Sequence, residues 1–295
     1  MKQIGRKLVT LCLAAALFIT LLPALPAQAA AKSVTLYQGE QIYYTDYGTV
    51  SKVSSSNSKV VKAAKDKENN RHANLTAKKP GKSTVTVKTS NGTTTLKVTV
   101  KKLDFTVRVL SVASGYVTFS VKNNTSQTFD KISLDYTLKD AQGEVVKQDS
   151  VVIHRAIAKK TAYESVYVGS DQAELLDASS CSAGVTAVTH DPGYLYKDVS
   201  SKVKATVKDE KVSDNNVTFS VTTKNTTNER VLGYNYILIY DAADTLIGVD
   251  KMSLYLDKKA TNTSTSGYIS KYTYPAYDHY KIVTQAYYSV RDKKW

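Results

Sequence analysis

Val117-Thr118-Phe119-Ser120-Val121 recurs unchanged as Val217-Thr218-Phe219-Ser220-Val221, 100 residues further on. Apolar and polar residues alternate in both copies, with the β-branched and aromatic content of a strand that has one face in a core. The likeness extends beyond the pentapeptide. Each copy continues into a polar turn, Asn124-Thr125 in the first and Asn225-Thr226 in the second. A hydrophobic strand ending in Asp-Ala comes next, Leu134 to Ala141 against Asn235 to Ala242. A further strand leads to Lys159-Lys160 and to Lys258-Lys259. A period of about 100 residues is the length of a whole β-sandwich, too long for a solenoid unit. The second and third parts of the chain are therefore expected to be duplicates, residues 103–200 and 201–295.

The same alternation runs through residues 30–102. Ser83-Thr84-Val85-Thr86-Val87-Lys88 and Thr95-Leu96-Lys97-Val98-Thr99-Val100 flank Ser90-Asn91-Gly92, which reads as a hairpin whose Asn-Gly supplies positive φ. No sustained 3.6-residue apolar period occurs after the N-terminal segment, and Ser170 to Ala178 is the best candidate for one short helix. The expected fold class is all-β, with three tandem Ig-like sandwiches.

The N-terminal 29 residues read as a secretory signal peptide. Lys2, Arg6 and Lys7 form a positive region, Leu8 to Leu25 an apolar run, and Ala27-Gln28-Ala29 a small-residue cleavage site. Pro23 and Pro26 interrupt the run and argue against a retained anchor. Leu11 before Cys12 excludes a lipobox, and neither a second hydrophobic segment nor a Leu-Pro-x-Thr-Gly sorting tail is present. The expectation is a secreted chain, released or held at the surface by non-covalent contact. Cys181 is then its only thiol, so stability must come from packed cores.

Charge is unevenly distributed. The full chain carries +14, and residues 30–102 alone hold 14 Lys/Arg against 4 Asp/Glu. Such a field favours anionic wall polymers or lipid headgroups; nucleic acid fits the charge but not an exported address. The candidate polyanion-binding residues are Lys59, Lys62, Lys65, Lys67, Lys78, Lys79 and Lys82. Lys59 to Lys67 also read as a solvated loop that keeps an extracellular protein soluble. Tyrosine is abundant, 21 against 5 Phe. Tyr272, Tyr274 and Tyr277 flank Pro275 in an expected loop and are candidate contacts for a carbohydrate or protein. The competing reading is half-buried strand tyrosines, ring in the core and hydroxyl in water.

Catalytic and metal chemistry find no motif. Gly81-Lys82-Ser83-Thr84 mimics the end of a phosphate loop, but Thr76 stands where its first glycine belongs and a strand comes after it. His72, His154, His190 and His279 are scattered without metal-ligand spacing. Cys181 lies nine residues before His190-Asp191, which does not by itself supply the geometry of a thiolate and its base. The chain is expected to be no enzyme and to hold no cofactor.

Two resemblances sharpen these expectations. Val34-Thr35-Leu36 with Gly39, then Ser54 to Val61, then Leu75-Thr76-Ala77-Lys78-Lys79-Pro80-Gly81-Lys82-Ser83-Thr84-Val85-Thr86-Val87, resembles the group 2 bacterial Ig-like domain over residues 33–102. Residues 104–199 and 203–295 are similar to the FxLYD-type domain, named for a strand ending in Leu-Tyr-Asp, which Leu238-Ile239-Tyr240-Asp241 and Leu138-Lys139-Asp140 approximate. These resemblances imply extracellular or cell-surface modules, found in adhesins and wall-associated proteins, with no shared catalytic residues. The expected function is envelope or matrix association through the basic first module, with the repeats as spacers or partner-binding modules. The alternative is an adhesin acting through the tyrosine-rich third module.

Overall fold

The computed structural model describes residues 31–291. The expected signal peptide, residues 1–29, lies outside the described residues; among the described residues no helix is long and apolar enough to cross a membrane. The fold is all-β, three sandwiches in tandem, each of two sheets.

In the first sandwich, one sheet has the order β1-β7-β6-β3, formed by Lys32–Tyr37, Gly92–Lys101, Gly81–Thr89 and Val50–Ser55. The other has the order β2-β5-β4, formed by Gln41–Tyr44, Ala73–Ala77 and Val61–Lys65. Val85, Val87, Leu96 and Val98 point inward and are almost wholly buried. The expected hairpin joins β6 to β7, but its positive φ falls on Gly92 (134°), with Asn91 outside the left-handed region. Asn91 instead ties the turn down, its Nδ2 donating to Asp46 O at 3.0 Å.

The second sandwich holds β8 (Phe105–Ala113), β9 (Tyr116–Asn123) and β12 (Thr161–Tyr167) in one sheet. β10 (Phe129–Lys139), β11 (Val145–Ala156) and β13 (Ser182–Thr189) form its other sheet. The short helix α1 spans Ser170–Leu175 and stops as Leu176 turns extended and bridges to Asp140. The third sandwich repeats the plan with β15 (Val203–Val212), β16 (Asn216–Asn225) and β19 (Thr261–Ser270) against β17 (Val231–Tyr240), β18 (Leu246–Leu256) and β20 (His279–Arg291). A further strand, β14 (Tyr194–Asp198), pairs with β20. The expected boundary at residue 200 thus falls late: Tyr194 to Asp198 belong to the third sandwich, because their backbone groups find partners there.

The duplication is visible in matched hydrogen bonds. Asn123 is completely buried; its Nδ2 donates to Gln127 O and Ala156 O, and its Oδ1 accepts from the N–H and hydroxyl of Thr125. Asn225 does the same with Glu229 O, Asp257 O and Thr227. The equivalent residues are therefore Asn123 and Asn225, which corrects the expected match of Asn124-Thr125 to Asn225-Thr226. The strand β16 is two residues longer than β9, ten against eight, and that insertion shifts the register. Asp140 and Asp241 cap identical turns, each accepting from N–H groups two and four residues on. Lys159 and Lys259, both at positive φ, each reach a carbonyl of the asparagine turn, Asn124 O and Thr226 O.

The sandwiches are docked against one another. Tyr37, at the end of β1, packs in the core of the second sandwich, its ring edge-on to Phe129 at 5.0 Å. Glu40 is completely buried beside it, accepts from Tyr37 N at 2.9 Å and His190 N at 3.1 Å, and pairs with His190 Nδ1. Between the repeats, Val249 N donates to Ser165 Oγ at 3.2 Å and Lys251 Nζ pairs with Glu164 at 2.6 Å.

Asn123→Ala removes the side-chain donor to Ala156 O and the acceptor of Thr125 N in a buried turn, while Gln127 O keeps the Thr125 hydroxyl, and each unsatisfied buried polar group costs about 1–3 kcal/mol. Urea unfolding should show the second sandwich destabilised by a few kcal/mol and the third unchanged, with Asn225→Ala giving the mirror result. Equal effects of either variant on both transitions would contradict independent asparagine turns. Glu40→Ala removes the shared acceptor of the first junction, and NMR relaxation should then report the first sandwich tumbling more independently of the rest.

Candidate polyanion-binding face

The outward face of the sheet β1-β7-β6-β3 is set by its inward one. With Val85, Val87, Leu96 and Val98 fixed in the core, the residues between them must face solvent. On β6 those residues are Lys82, Thr84, Thr86 and Lys88; on β7 they are Thr93, Thr95, Lys97 and Thr99. Strand β3 adds Lys52 and Ser54, and β1 adds Ser33 and Thr35. The face is built from Lys, Ser and Thr, with no acidic and no apolar side chain at these positions.

Register sets the spacing. Thr84 pairs with Lys97 and Lys82 with Thr99, so three lysines are interleaved with hydroxyls. Lys52 stands directly opposite Lys88. Lys82 and Lys88 are separated by ~20 Å along the strand, and neighbouring strands by ~4.8 Å. Like charges facing each other across a strand pair destabilise a sheet unless a counter-charge sits over them.

Among the described residues, no carboxylate of the first sandwich forms an ion pair with a lysine of this face, and three of its four are engaged elsewhere. Glu40 is buried at the junction. Asp46 accepts from Gly48 N and the Thr89 hydroxyl. Asp66 accepts from the backbone N–H groups of Asn69 and Glu68, which hold its carboxyl below its ordinary value. Among the described residues, no Lys or Arg of this sandwich forms an ion pair, whereas Lys147, Arg155, Lys160, Arg230, Lys251 and Lys281 in the repeats all do.

The seven lysines expected from the sequence are all exposed but do not form one patch. Only Lys82 lies on the Lys/Ser/Thr face. Lys59, Lys78 and Lys79 gather at one edge, where Lys78 N donates to Val60 O at 2.8 Å. Lys62 and Lys65 are on strand β4, not in the expected loop, because Val61 and Ala63, on either side of Lys62, pack inward. Lys65 and Lys67 flank Asp66 at the far end of that strand. Lys52, Lys88 and Lys97 were missed. The hairpin could have given Lys88 and Lys97, since counting back from Asn91-Gly92 puts both on the face of Lys82. Nothing local could have given Lys52, whose pairing with β6 spans a register shift. Gly81-Lys82-Ser83-Thr84 opens β6, and Ser83 turns inward to bond Ser55 Oγ at 2.9 Å.

The expected tyrosine platform of the third module is not present as such. Tyr272 is 76% exposed, but Tyr274 is only 8% exposed and Tyr277 half-buried against the core. Tyr274 is buried because Gly248 has no side chain, leaving a slot for its ring: a Cβ there would lie 2.2 Å from Cε1. Burial pushes its phenol up to about 12. Cys181 and His190 are not paired either. Cys181 Sγ accepts from Lys139 N at 3.3 Å, and His190 is held by Glu40. Among the described residues, no three His, Cys, Asp or Glu side chains are grouped as for a metal ion.

No family model matches the chain, and no curated protein does. Among solved structures, it is similar to SGBP-B of a Bacteroides ovatus mixed-linkage glucan utilization locus, in complex with a mixed-linkage heptasaccharide. The match has 10% identity over 90% of this chain and 76% of the other, with a TM-score of 0.20. It is similar, too, to a tetra-tandem repeat from the extending region of a large adhesion protein, at 11% identity over 88% and 74%, TM-score 0.19. Salmonella alpha-2-macroglobulin overlaps at 12% identity over 92% of this chain and 24% of its own, TM-score 0.19. At such overlap, the functional reading rests on the residues of the chain itself.

Tyr274→Ala should destabilise the third sandwich by ~3 kcal/mol, as expected for truncating a buried aromatic ring, and Tyr272→Ala by less than ~0.5 kcal/mol. Because the Tyr274 phenol titrates higher folded than unfolded, its contribution is complete below pH ~10 and is lost as pH rises toward 12. Thermal unfolding between pH 9 and 12 should show that loss, reduced in Tyr274→Phe.

Proposed function

We propose that the protein is a non-catalytic, secreted surface protein that binds an anionic polymer of the cell envelope or matrix through the outer face of its first sandwich. The repeats act as a stiff spacer and as modules for further partners. In this reading residues 33–102 are a group 2 bacterial Ig-like domain and the repeats are FxLYD-type. The observation that carries the proposal is the Lys/Ser/Thr face itself: Lys52, Lys82, Lys88 and Lys97 on one sheet without a carboxylate, Lys52 opposite Lys88. Lysine supplies a compact, strongly hydrated cation with three donors, suited to phosphate or carboxylate groups along a flexible chain. The hydroxyls between can bond the same groups without adding charge. The engagement of Cys181 with Lys139 and of His190 with Glu40 supports a binding role over a thiol-based one.

The test is co-sedimentation of the mature chain with purified anionic cell-wall polymer across a salt series. Exposed charge attraction is screened over ~10 Å at 0.1 M salt, so binding at low salt should fall steeply as salt rises. Joint replacement of Lys52, Lys82, Lys88 and Lys97 by Gln should weaken binding more than about tenfold, equivalent to ~1.4 kcal/mol. Replacement of Lys65 and Lys67, which flank Asp66, should change it less than about twofold. Salt-independent binding, or equal losses in the two variants, would sink the proposal.

A further inference from the structure

A second site lies where the two repeats meet. It is a cleft of about 370 Å³, with walls from both sandwiches. Tyr116 comes from β9, Tyr163 and Glu164 from β12, Asp250 from β18, Tyr268 from β19 and Tyr274 from the loop before β20. Its volume falls within the lower range of small-ligand sites.

The walls are held in place before any ligand arrives. Lys251 Nζ reaches both carboxylate oxygens of Glu164, at 2.6 and 2.8 Å, across the junction. Ser165 Oγ accepts from Val249 N at 3.2 Å and bonds the Thr118 hydroxyl at 2.9 Å. Behind the cleft, Tyr163 packs edge-on to Tyr236 at 5.6 Å.

Aromatic rings run from its floor to its rim. Tyr274 lies in the slot of Gly248 with its phenol kept neutral by burial. Tyr116 stands 6.4 Å from it and 5.1 Å from Tyr167, which is 61% exposed. On the opposite side Tyr268 is 56% exposed, though it sits on a strand whose neighbour Ile269 is buried. Rings left this open carry apolar area that water does not favour, beside hydroxyls that water does.

The cleft's charge points away from the polymer assigned to the first sandwich. Glu164 and Lys251 neutralise one another. Asp250 accepts from Lys251 N at 2.7 Å and has no cationic partner among the described residues, leaving one net negative charge. A polyanion is disfavoured here. The features that remain are tyrosine faces, phenolic hydroxyls and a carboxylate acceptor. They match a molecule with C–H faces and a rim of hydroxyl donors.

We propose that the cleft between the repeats, lined by Tyr116, Tyr163, Tyr268 and Tyr274 with Asp250 at its edge, binds a neutral oligosaccharide. The C–H face of a hexose lies on the exposed Tyr268 ring and the half-buried Tyr116 ring. Its hydroxyls donate to Asp250 and exchange hydrogen bonds with the phenols. Because the walls come from two sandwiches, neither repeat alone contains the site.

The experiment is a calorimetric and NMR titration of the full mature chain with neutral gluco-, manno-, galacto- and N-acetylhexosamine oligomers of two to six units, at 50 and 500 mM NaCl. At least one series should bind with little change between the two salts. Tyr268→Ala, at an exposed position, and Asp250→Asn should each weaken binding about tenfold or more without shifting thermal unfolding. Replacing Lys52, Lys82, Lys88 and Lys97 by Gln should leave sugar binding intact, so this site and the polyanion face stand or fall separately. Saturation by none of the neutral series overturns the proposal. So does sugar binding unaffected by both cleft variants, or binding of oligolysine with no sugar bound.

Discussion

Val85, Val87, Leu96 and Val98 are clamped between the two sheets of the first sandwich, and their burial dictates where every neighbouring side chain points. Cys181 is a free thiol, so no disulfide holds any of the three described sandwiches, and each depends on a filled core. A period of two then divides each strand into a set the core requires and a set it leaves free. In the first sandwich the free set on one sheet is Lys, Ser and Thr. In the repeats part of it is apolar: Tyr236, Leu238 and Val249 on the outside of the third sandwich meet Tyr163 of the second. One backbone rule therefore yields a charged surface in one module and an intermodule interface in the others.

The junctions are of two physical kinds. At the first, the chain inserts Tyr37 into its neighbour's core and buries a carboxylate, Glu40, against His190. A buried pair of this sort adds little net stability, because removing both groups from water offsets much of their attraction. Its geometric demands are strict, since misdocking strands a charge. At the second, an apolar face is supplemented by Lys251–Glu164 and Val249–Ser165. Fixed junctions bear on the proposed function: two weak sites on docked modules would act at a high effective concentration if both ligands belonged to one surface.

Much of the fold was legible in the sequence because it is local. Alternation gave the strands, Asn91-Gly92 the hairpin, and the repeated pentapeptide the duplication. What was misread depends on distance or on a missing atom. The match between the asparagine turns slipped because Thr222-Thr223 lengthen one strand relative to the other, which identity alone does not register. Tyr194 to Asp198 were placed with the wrong module because their partners, Tyr287 to Arg291, are almost a hundred residues away. Glu40 and His190 are 150 residues apart and neither has a local signature. Tyr274 looked exposed beside Pro275, and only the absence of a side chain at Gly248 makes room to bury it.

The candidate polyanion site shows the same divide. Lysine-rich segments were legible as composition, yet composition does not say which lysines share a plane. The contrast between modules supplies that information. The repeats have carboxylates to hand and pair their cations with them: Arg155 with Asp130, Lys160 with Asp198, Arg230 with Asp257 and Lys251 with Glu164. In the first sandwich three of the four carboxylates are drawn elsewhere, Glu40 into the junction, Asp46 and Asp66 into turns. Folding alone gives no reason to set Lys52 opposite Lys88 when threonine already fills the neighbouring outward positions and has the higher strand propensity. Under the proposed function, a sheet face that keeps its repulsion and lacks its own counter-charge takes that counter-charge from outside the molecule.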